Sequence, residues 1–406
     1  MRLTRAGTAL TRQAPAMRIV HFIDRLDPSD GGPPAAVARL AAAQARAGHS
    51  VQICANEPRD DRLRFEEAYA AIDGFPAVTQ RFFPHRTLCE RALALDARRT
   101  LPGMLADADI AHVHGVWRPL LLQAARTSSA QRLAYCVTPH GMLSSWGMAQ
   151  KTIKKRVALM LAWRSALAKA AFLHFVSEGE LAASAPLGLG TQPLVLPNGI
   201  DVAELDGVAS PVRADRVAPL PERFILFVGR LHCSKGLDLL CDAFATVAAR
   251  HPEVTLVVVG PDFGYGEEFA RRIRARGLAG RVHVLGPVYG AAKLALMRAA
   301  LCLCLPSRQE GFSVTILEAL ACGRPAVISE ACNFAEVETA GAGFVTGLSS
   351  AQIADRLLRL CGDEALCGRQ GRAARALVQQ RYGWDMLASR LVERYVSAVD
   401  AGRVDA

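Results

Sequence analysis

The sequence predicts an α/β protein of two domains, each a parallel sheet of short buried strands wound with helices. Apolar runs of about four to eight residues, closed by Gly, Pro or a polar loop, alternate with longer stretches of helical period, the pattern of strand–helix–strand units whose strands are covered on both faces. The alternation halts in Pro211 to Pro221, which has no period, and then restarts, so a linker is placed at 206–222 between domains at 17–205 and 223–383. A chain of 406 residues has room for both cores.

Bulk composition narrows the function classes. With 51% hydrophobic and 21% charged residues the chain is globular, and it holds no run of about eighteen uncharged apolar residues that would cross a membrane. A net charge of +10 admits nucleic acid, an anionic membrane face or phosphorylated substrates as partners. No aromatic-laced basic strand pair, zinc-knuckle spacing or basic helix with heptads accompanies it, so nucleic acid is not expected. The eleven cysteines form no C-x-x-C pair and read as small apolar core residues of a reducing cytoplasm. Residues 1–16 carry Arg2, Arg5 and Arg12 without an acid or an apolar core, a poor secretory signal. They are expected to be a disordered leader or to lie upstream of a true start at Met17.

Met17 to Ile23 is the first strand, and the loop Asp24 to Ala36 contains Asp30-Gly31-Gly32-Pro33-Pro34 ahead of a helix from Ala36 to Ala47. The two glycines make a turn or let backbone approach a ligand. Val51 to Ala55 is the next strand, while Pro58 to Leu101 is arginine-rich and without readable period. Asp109 to Val116 is read as the third strand. His112 and His114 share one of its faces, and since no third ligand is spaced to complete a metal site, they are read as lining a cleft. Leu133 to Thr138 ends in Pro139-His140-Gly141-Met142-Leu143, which sets a histidine at a strand's carboxyl tip, a place for ligand contact. Lys151, Lys154, Lys155 and Arg156 open a helix running to Ala168; a solvated face and contact with anionic headgroups or a diphosphate-linked acceptor both fit. Phe172 to Val176 is a strand, Ser177-Glu178-Gly179-Glu180 caps a helix, and Val195 leads into a Pro197-Asn198-Gly199-Ile200-Asp201 turn whose Asn-Gly is expected at positive φ.

The second domain starts with strand Phe224 to Val228 and the loop Gly229-Arg230-Leu231-His232-Cys233-Ser234-Lys235-Gly236. Because the glycine follows the lysine this is not a P-loop, yet Arg230 and Lys235 set two cations at a strand's carboxyl edge, where a diphosphate is neutralised. Val254 to Val259 and Val282 to Val288 bring two more strands, and a short helix spans Lys293 to Ala300. The apolar run Ala300 to Leu305 feeds Ser307-Arg308-Gln309-Glu310-Gly311-Phe312-Ser313-Val314-Thr315 and a helix stopped by Gly323-Arg324-Pro325. A helix opening near Ser313 points unpaired N–H groups at an anion. Glu310 in the loop and Glu318 on the helix flank that site, and carboxylates accept from the paired hydroxyls of a sugar or ribose. Val327 to Ala331, Asn333 and Gly341 to Val345 complete the sheet, and Leu357 to Ala398 is helical with a bend at Tyr382-Gly383-Trp384.

Glu310-Gly311-Phe312 with Glu318-Ala319-Leu320-Ala321-Cys322-Gly323-Arg324-Pro325 resembles the E-x7-E signature of the retaining family 4 glycosyltransferases, including those that build bacterial surface polysaccharides. The resemblance extends from Met17 to the end and implies the GT-B fold: two Rossmann-like domains facing each other across a cleft, with a terminal helix, 384–406, crossing back to the first. It implies catalytic roles for Glu310, which contacts the transferred sugar, for His140 on the same sugar, and for Arg230 and Lys235, which stabilise the departing nucleoside diphosphate. Donor contacts are implied for Gly31 and Gly32, for Gly311, Phe312, Ser313, Val314 and Thr315, for Glu318 on the ribose, and for backbone near Val288 on the base. Helix dipole and cations stand in for a metal, and Asp107-Ala108-Asp109 precedes its strand instead of following it, so no metal and no cofactor are expected. The implied activity moves a sugar with retention from a nucleoside-diphosphate donor to a glycan or lipid-linked acceptor, in the cytoplasm or at the inner membrane face. An epimerase or phosphorylase of the same fold, and a non-catalytic sugar-nucleotide scaffold, are the alternatives; G-x-S-x-G and H-E-x-x-H are both absent.

Overall fold

The computed structural model describes residues 15–27, 32–56, 69–84, 93–143, 157–207 and 221–404, with 87, 90 and 155. Its apolar runs form two sheets. The first contains β1 (Arg18–Ile23), β2 (Ser50–Asn56), β3 (Thr79–Phe83), β4 (Ile110–His114), β5 (Tyr135–Thr138), β6 (Phe172–Phe175) and β7 (Pro193–Val195), in the order β3-β2-β1-β4-β5-β6-β7. The second contains β8 (Arg223–Val228), β9 (Val254–Val259), β10 (Val282–Val284), β11 (Cys302–Leu305), β12 (Ala326–Ser329) and β13 (Gly343–Thr346), in the order β10-β9-β8-β11-β12-β13. Pairing is parallel from β3 through β6 and throughout the second sheet.

Both sheets therefore have the doubly wound order, in which the direction of winding reverses beside the first strand. Loops leaving the carboxyl ends of the two strands at that reversal part to either side and leave room for a ligand. In the first sheet those strands are β1 and β4; in the second they are β8 and β11. The central strands β4, β5, β6, β11 and β12 are buried along their whole length, as expected of strands covered on both faces.

Two compact units emerge, one of 1–174, 187–194 and 388–406, the other of 175–186 and 195–387. Residues 384–387 of the terminal helix Trp384–Val404 thus fall in the second unit and its remainder in the first. The assigned linker lies largely in 208–220, outside the described residues.

Several elements depart from sequence expectation. Strand β3 falls inside the arginine-rich region that gave no period: only Phe83 of Thr79–Phe83 is buried, because an edge strand has one neighbour and little apolar demand. The strand holding His112 is accordingly the fourth. The first helix begins at Gly32, four residues earlier than expected. The helix ending at Ala168 is interrupted by a π-helical turn at Leu159–Trp163. Gly199 is not at positive φ; a Cβ there would lie 2.7 Å from the Trp384 ring, so its lack of a side chain serves close packing, not a turn.

Candidate active site

In the second unit the reversal of winding brings the β8 and β11 loops together. Gly236, at φ 68°, closes the 3-10 turn Cys233–Lys235, and a Cβ on it would stand 2.0 Å from the Pro306 carbonyl oxygen. The β8 loop therefore lies directly on the exit of β11. Lys235 Nζ donates to Glu310 Oε1 at 2.5 Å, with the two side chains only 13% and 11% exposed. Ser307 Oγ donates to the same oxygen at 2.8 Å. Around them Arg308 grips Asp238 through both guanidinium nitrogens, at 2.8 and 2.6 Å, and holds that carboxyl below its usual range.

The Glu310 loop is fixed through its backbone as well. Glu310 N donates to Ala331 O, and Asn333 Nδ2 donates to Glu310 O at 2.9 Å. Ser177 Oγ accepts from Glu180 N as a helix cap and donates to Gly311 O at 2.9 Å. Phe312 lies against the tilted rings of Phe334 and Tyr382, with centroids 5.7 and 6.4 Å away. The helix Val314–Ala321 has Ser313 as its cap residue without a side-chain cap bond. Ile316 and Leu317 donate to Ser313 O, while the N–H groups of Val314 and Thr315 meet no acceptor among the described residues, the free donors a helix start offers an anion.

Glu318 is held by Lys293 Nζ at 2.7 and 2.8 Å to its two oxygens. Lys293, on Gly290–Ala299, was visible in sequence only as the start of a helix. Arg230 is exposed, its guanidinium 5.1 Å from the centre of the Phe263 ring. Val288 is half-buried in the loop after β10. Both carboxylates of the E-x7-E pair thus carry a lysine counter-ion supplied by a neighbouring segment.

In the first unit the reversal holds histidines. His21 on β1 lies opposite His112 on β4, and His114 follows one pleat on. His112 and His114 do not line a cleft: they are 0% and 4% exposed. The third histidine that spacing lacked comes from β1, and the described residues His21, His112 and His114 converge closely enough to suit a metal. Their six ring nitrogens are already engaged. His21 meets His114 at 2.9 Å and Gln44 Oε1 at 2.7 Å; His112 meets Tyr395 OH at 2.5 Å and Thr138 Oγ1 at 2.6 Å; His114 meets His140 Nε2 at 3.2 Å. Thr138 Oγ1 continues to His174 Nδ1 at 2.9 Å. Burial lowers these histidines, His21 to about 4, His140 to about 3, and His112 and His114 well below their ordinary range.

His140 sits at the tip of β5 in the left-handed region, φ 52°, with Gly141 at φ 78° after it. A non-glycine residue there is uncommon, though histidine is among the types that adopt it more readily. Gly32 occupies the first turn of its helix, where an added Cβ would meet nothing within 4 Å, so no protein contact demands a glycine at that position; Gly31 lies outside the described residues. Asp109 Oδ2 accepts from Arg18 N and Asp107 pairs with Arg18, at the amino ends of β1 and β4, the opposite edge from the loops above.

Both halves of the chain match known family models. Residues 31–199 match the glycosyl transferase 4-like domain model and residues 211–377 the glycosyl transferases group 1 model. The phosphatidyl-myo-inositol mannosyltransferase of Mycobacterium tuberculosis is 33% identical over 222 residues, 53% of this chain and 56% of that protein, so the chain spans about half the length of this relative. The GDP-mannose:cellobiosyl-diphosphopolyprenol alpha-mannosyltransferase of Xanthomonas oryzae is 25% identical over 96% of this chain and 99% of that one. Anabaena HepE in complex with UDP and glucose has a similar fold, with TM-score 0.72 and 22% identity over 94% of this chain and 100% of that one.

Proposed function

Because this chain belongs to the family 4 glycosyltransferases and has the GT-B fold, we propose that it moves a sugar, with retention, from a nucleoside-diphosphate donor to a glycan or lipid-linked acceptor in surface polysaccharide synthesis. The observation that carries the reading is the shielded Lys235–Glu310 pair at the reversal of the second sheet. So screened an ion pair contributes little to stability, and its place at a ligand-receiving edge gives it a better use.

A nucleotide sugar brings its own leaving group, so catalysis consists of stabilising the departing diphosphate and the cationic sugar. Lys235, Arg230 and the N–H groups of Val314 and Thr315 supply positive potential for the diphosphate. Glu310, paired with Lys235 and oriented by Ser307, accepts from hydroxyls of the transferred sugar and stabilises positive charge on it. Glu318, steadied by Lys293, accepts from the ribose. His140 contacts the transferred sugar. Both relatives are mannosyltransferases by name, which makes mannose the first sugar to test, and the lipid-linked acceptor in the name of the Xanthomonas relative makes a polyprenyl-diphosphate glycan the first acceptor.

Membrane contact belongs to the same reading. No helix among the described residues is long and apolar enough to cross a membrane, but Met160 and Leu161 are 70% and 78% exposed on the π-helical turn that follows Lys155. Apolar side chains beside basic ones suit an anionic lipid surface. The experiment is transfer of labelled mannose from GDP-mannose to a polyprenyl-diphosphate glycan, with the product's anomeric configuration read by NMR. An α-linked product from the α-donor supports the reading; an inverted product refutes retention, and sugar phosphate released on adding inorganic phosphate favours the phosphorylase alternative.

A further inference from the structure

The buried histidines of the first unit form two hydrogen-bonded rows, and one of them ends at His140. Its order is Gln44 Oε1, His21, His114, His140, with spacings of 2.7, 2.9 and 3.2 Å. The other is Tyr395, His112, Thr138, His174. A neutral imidazole has one donor nitrogen and one acceptor, so fixing the proton on one ring fixes it on the next.

Gln44 starts the first row. Its Oε1 faces His21, and an amide oxygen only accepts, so His21 carries its proton on Nε2 and leaves Nδ1 as an acceptor. The His114 proton then lies on Nε2, facing His21, and its Nδ1 accepts from His140 Nε2–H. His140 Nδ1, which has no partner among the described residues, is left as a bare lone pair. The other end of the amide, Gln44 Nε2, is buried without a hydrogen-bond partner among the described residues. Burial keeps every ring of the row neutral, the condition for a single tautomer to pass along it.

We propose that Gln44, His21 and His114 are positioning residues that lock His140 as its Nε2–H tautomer, so that His140 presents Nδ1 as a hydrogen-bond acceptor to a hydroxyl of the transferred sugar. The proposal rests on the glycosyltransferase reading for the identity of that hydroxyl, and on the geometry alone for the tautomer. It explains why a glutamine and three histidines are spent on the interior of one unit, and why His140 sits in the left-handed region, where its ring reaches back to His114. Gln44, on the helix Gly32–Arg46 and fully buried, has no other evident duty there.

The test is long-range ¹H–¹⁵N NMR of imidazole-labelled protein without donor or acceptor, which reports the tautomer whether or not transfer is ever found. Wild type is expected to show His140 protonated on Nε2 only. Gln44→Met keeps the volume and removes the acceptor, and His21→Phe removes the acceptor of His114; each is expected to convert His140 to a mixture of tautomers. Thr138→Val disturbs the second row alone and should leave His140 as in wild type. In the transfer assay Gln44→Met should lower kcat by about tenfold or more with the donor KM little changed. A wild-type His140 protonated on Nδ1, or an unaltered tautomer in folded Gln44→Met and His21→Phe, overturns the proposal. Failure of transfer with every donor, with the tautomer shifts intact, refutes the glycosyltransferase reading and spares the lock.

Discussion

Lys235 and Glu310 stand 75 residues apart in the chain and meet at 2.5 Å. Their strands, β8 and β11, are hydrogen-bonded neighbours at the reversal of the second sheet, so their exit loops must face each other. Gly236 then lets one loop rest on the other at Pro306. Parallel-sheet topology, a glycine and two opposite charges are sufficient to build this part of the site.

Removing the ammonium should therefore cost chemistry, and stability as well, because it leaves the shielded Glu310 carboxylate without its counter-ion. Lys235→Ala is expected to lower kcat/KM by about 10²- to 10³-fold, the scale of losing one preorganised electrostatic contact, and Glu310→Gln by a similar factor. Steady-state kinetics with donor and acceptor varied separately checks both. Retained activity in either variant contradicts the catalytic role assigned to that residue.

Lys293 holds both oxygens of Glu318, the carboxylate proposed above to accept from the donor's ribose. Lys293→Ala is expected to raise the donor KM about tenfold, as for loss of a charged hydrogen-bond partner, while kcat moves less. A fall in kcat at unchanged KM contradicts the ribose assignment.

Two glycines separate packing from permissiveness. Gly199→Ala drives a methyl into the Trp384 ring, 2.7 Å away, and should destabilise by about 1–3 kcal/mol. Gly103, inside the helix Leu95–Leu105 with nothing within 4 Å of its absent Cβ, should gain about 0.5–1 kcal/mol as alanine. Urea midpoints at constant slope measure both.

Acid should unfold the first unit through its histidines. Burial holds His21 at about 4 against an ordinary 6.5, and His112 and His114 well below 6.5. On acidification the unfolded chain takes up these protons first, so their stabilising contribution is whole above pH 6.5 and is lost progressively from there toward pH 4. The slope should exceed the one-proton value of about 1.4 kcal/mol per pH unit and lessen in His21→Asn. Denaturation at a series of pH values between 7.5 and 5 gives the slopes, and a flat profile contradicts the neutral, buried cluster.

Lipid contact is expected to depend on Met160 and Leu161. Sedimentation with phosphatidylglycerol-containing vesicles should fall several-fold in Met160→Ser/Leu161→Ser. Equal binding of wild type and variant places the contact elsewhere.

The second unit was largely legible in sequence because its strands announce themselves: β9 runs over the same Val254–Val259 that the apolar run marks, and the E-x7-E helix starts directly after Ser313. What escaped reading depends on partners far along the chain. Lys293 gains meaning only beside Glu318, 25 residues on, and His112 only beside His21 and Tyr395. A His-x-His pair is compatible with a cleft, a metal or a core, and the neighbouring strand decides. Strand β3 was hidden because an edge strand such as Thr79–Phe83 buries one side chain of five, too few for a periodicity to show. The Asn198-Gly199 pair misled because a glycine can be required by a ring packed against it as well as by its own φ.

The most direct test of the central claim is a thermal-shift series with GDP, UDP, ADP and their common sugars, on wild type and Lys235→Ala. The account predicts that one nucleotide series raises the wild-type Tm, by the equivalent of about 2.7 kcal/mol at a hundredfold excess over Kd, and that Lys235→Ala loses the shift. No shift with any nucleotide, or an equal shift in the variant, contradicts a diphosphate site at Lys235.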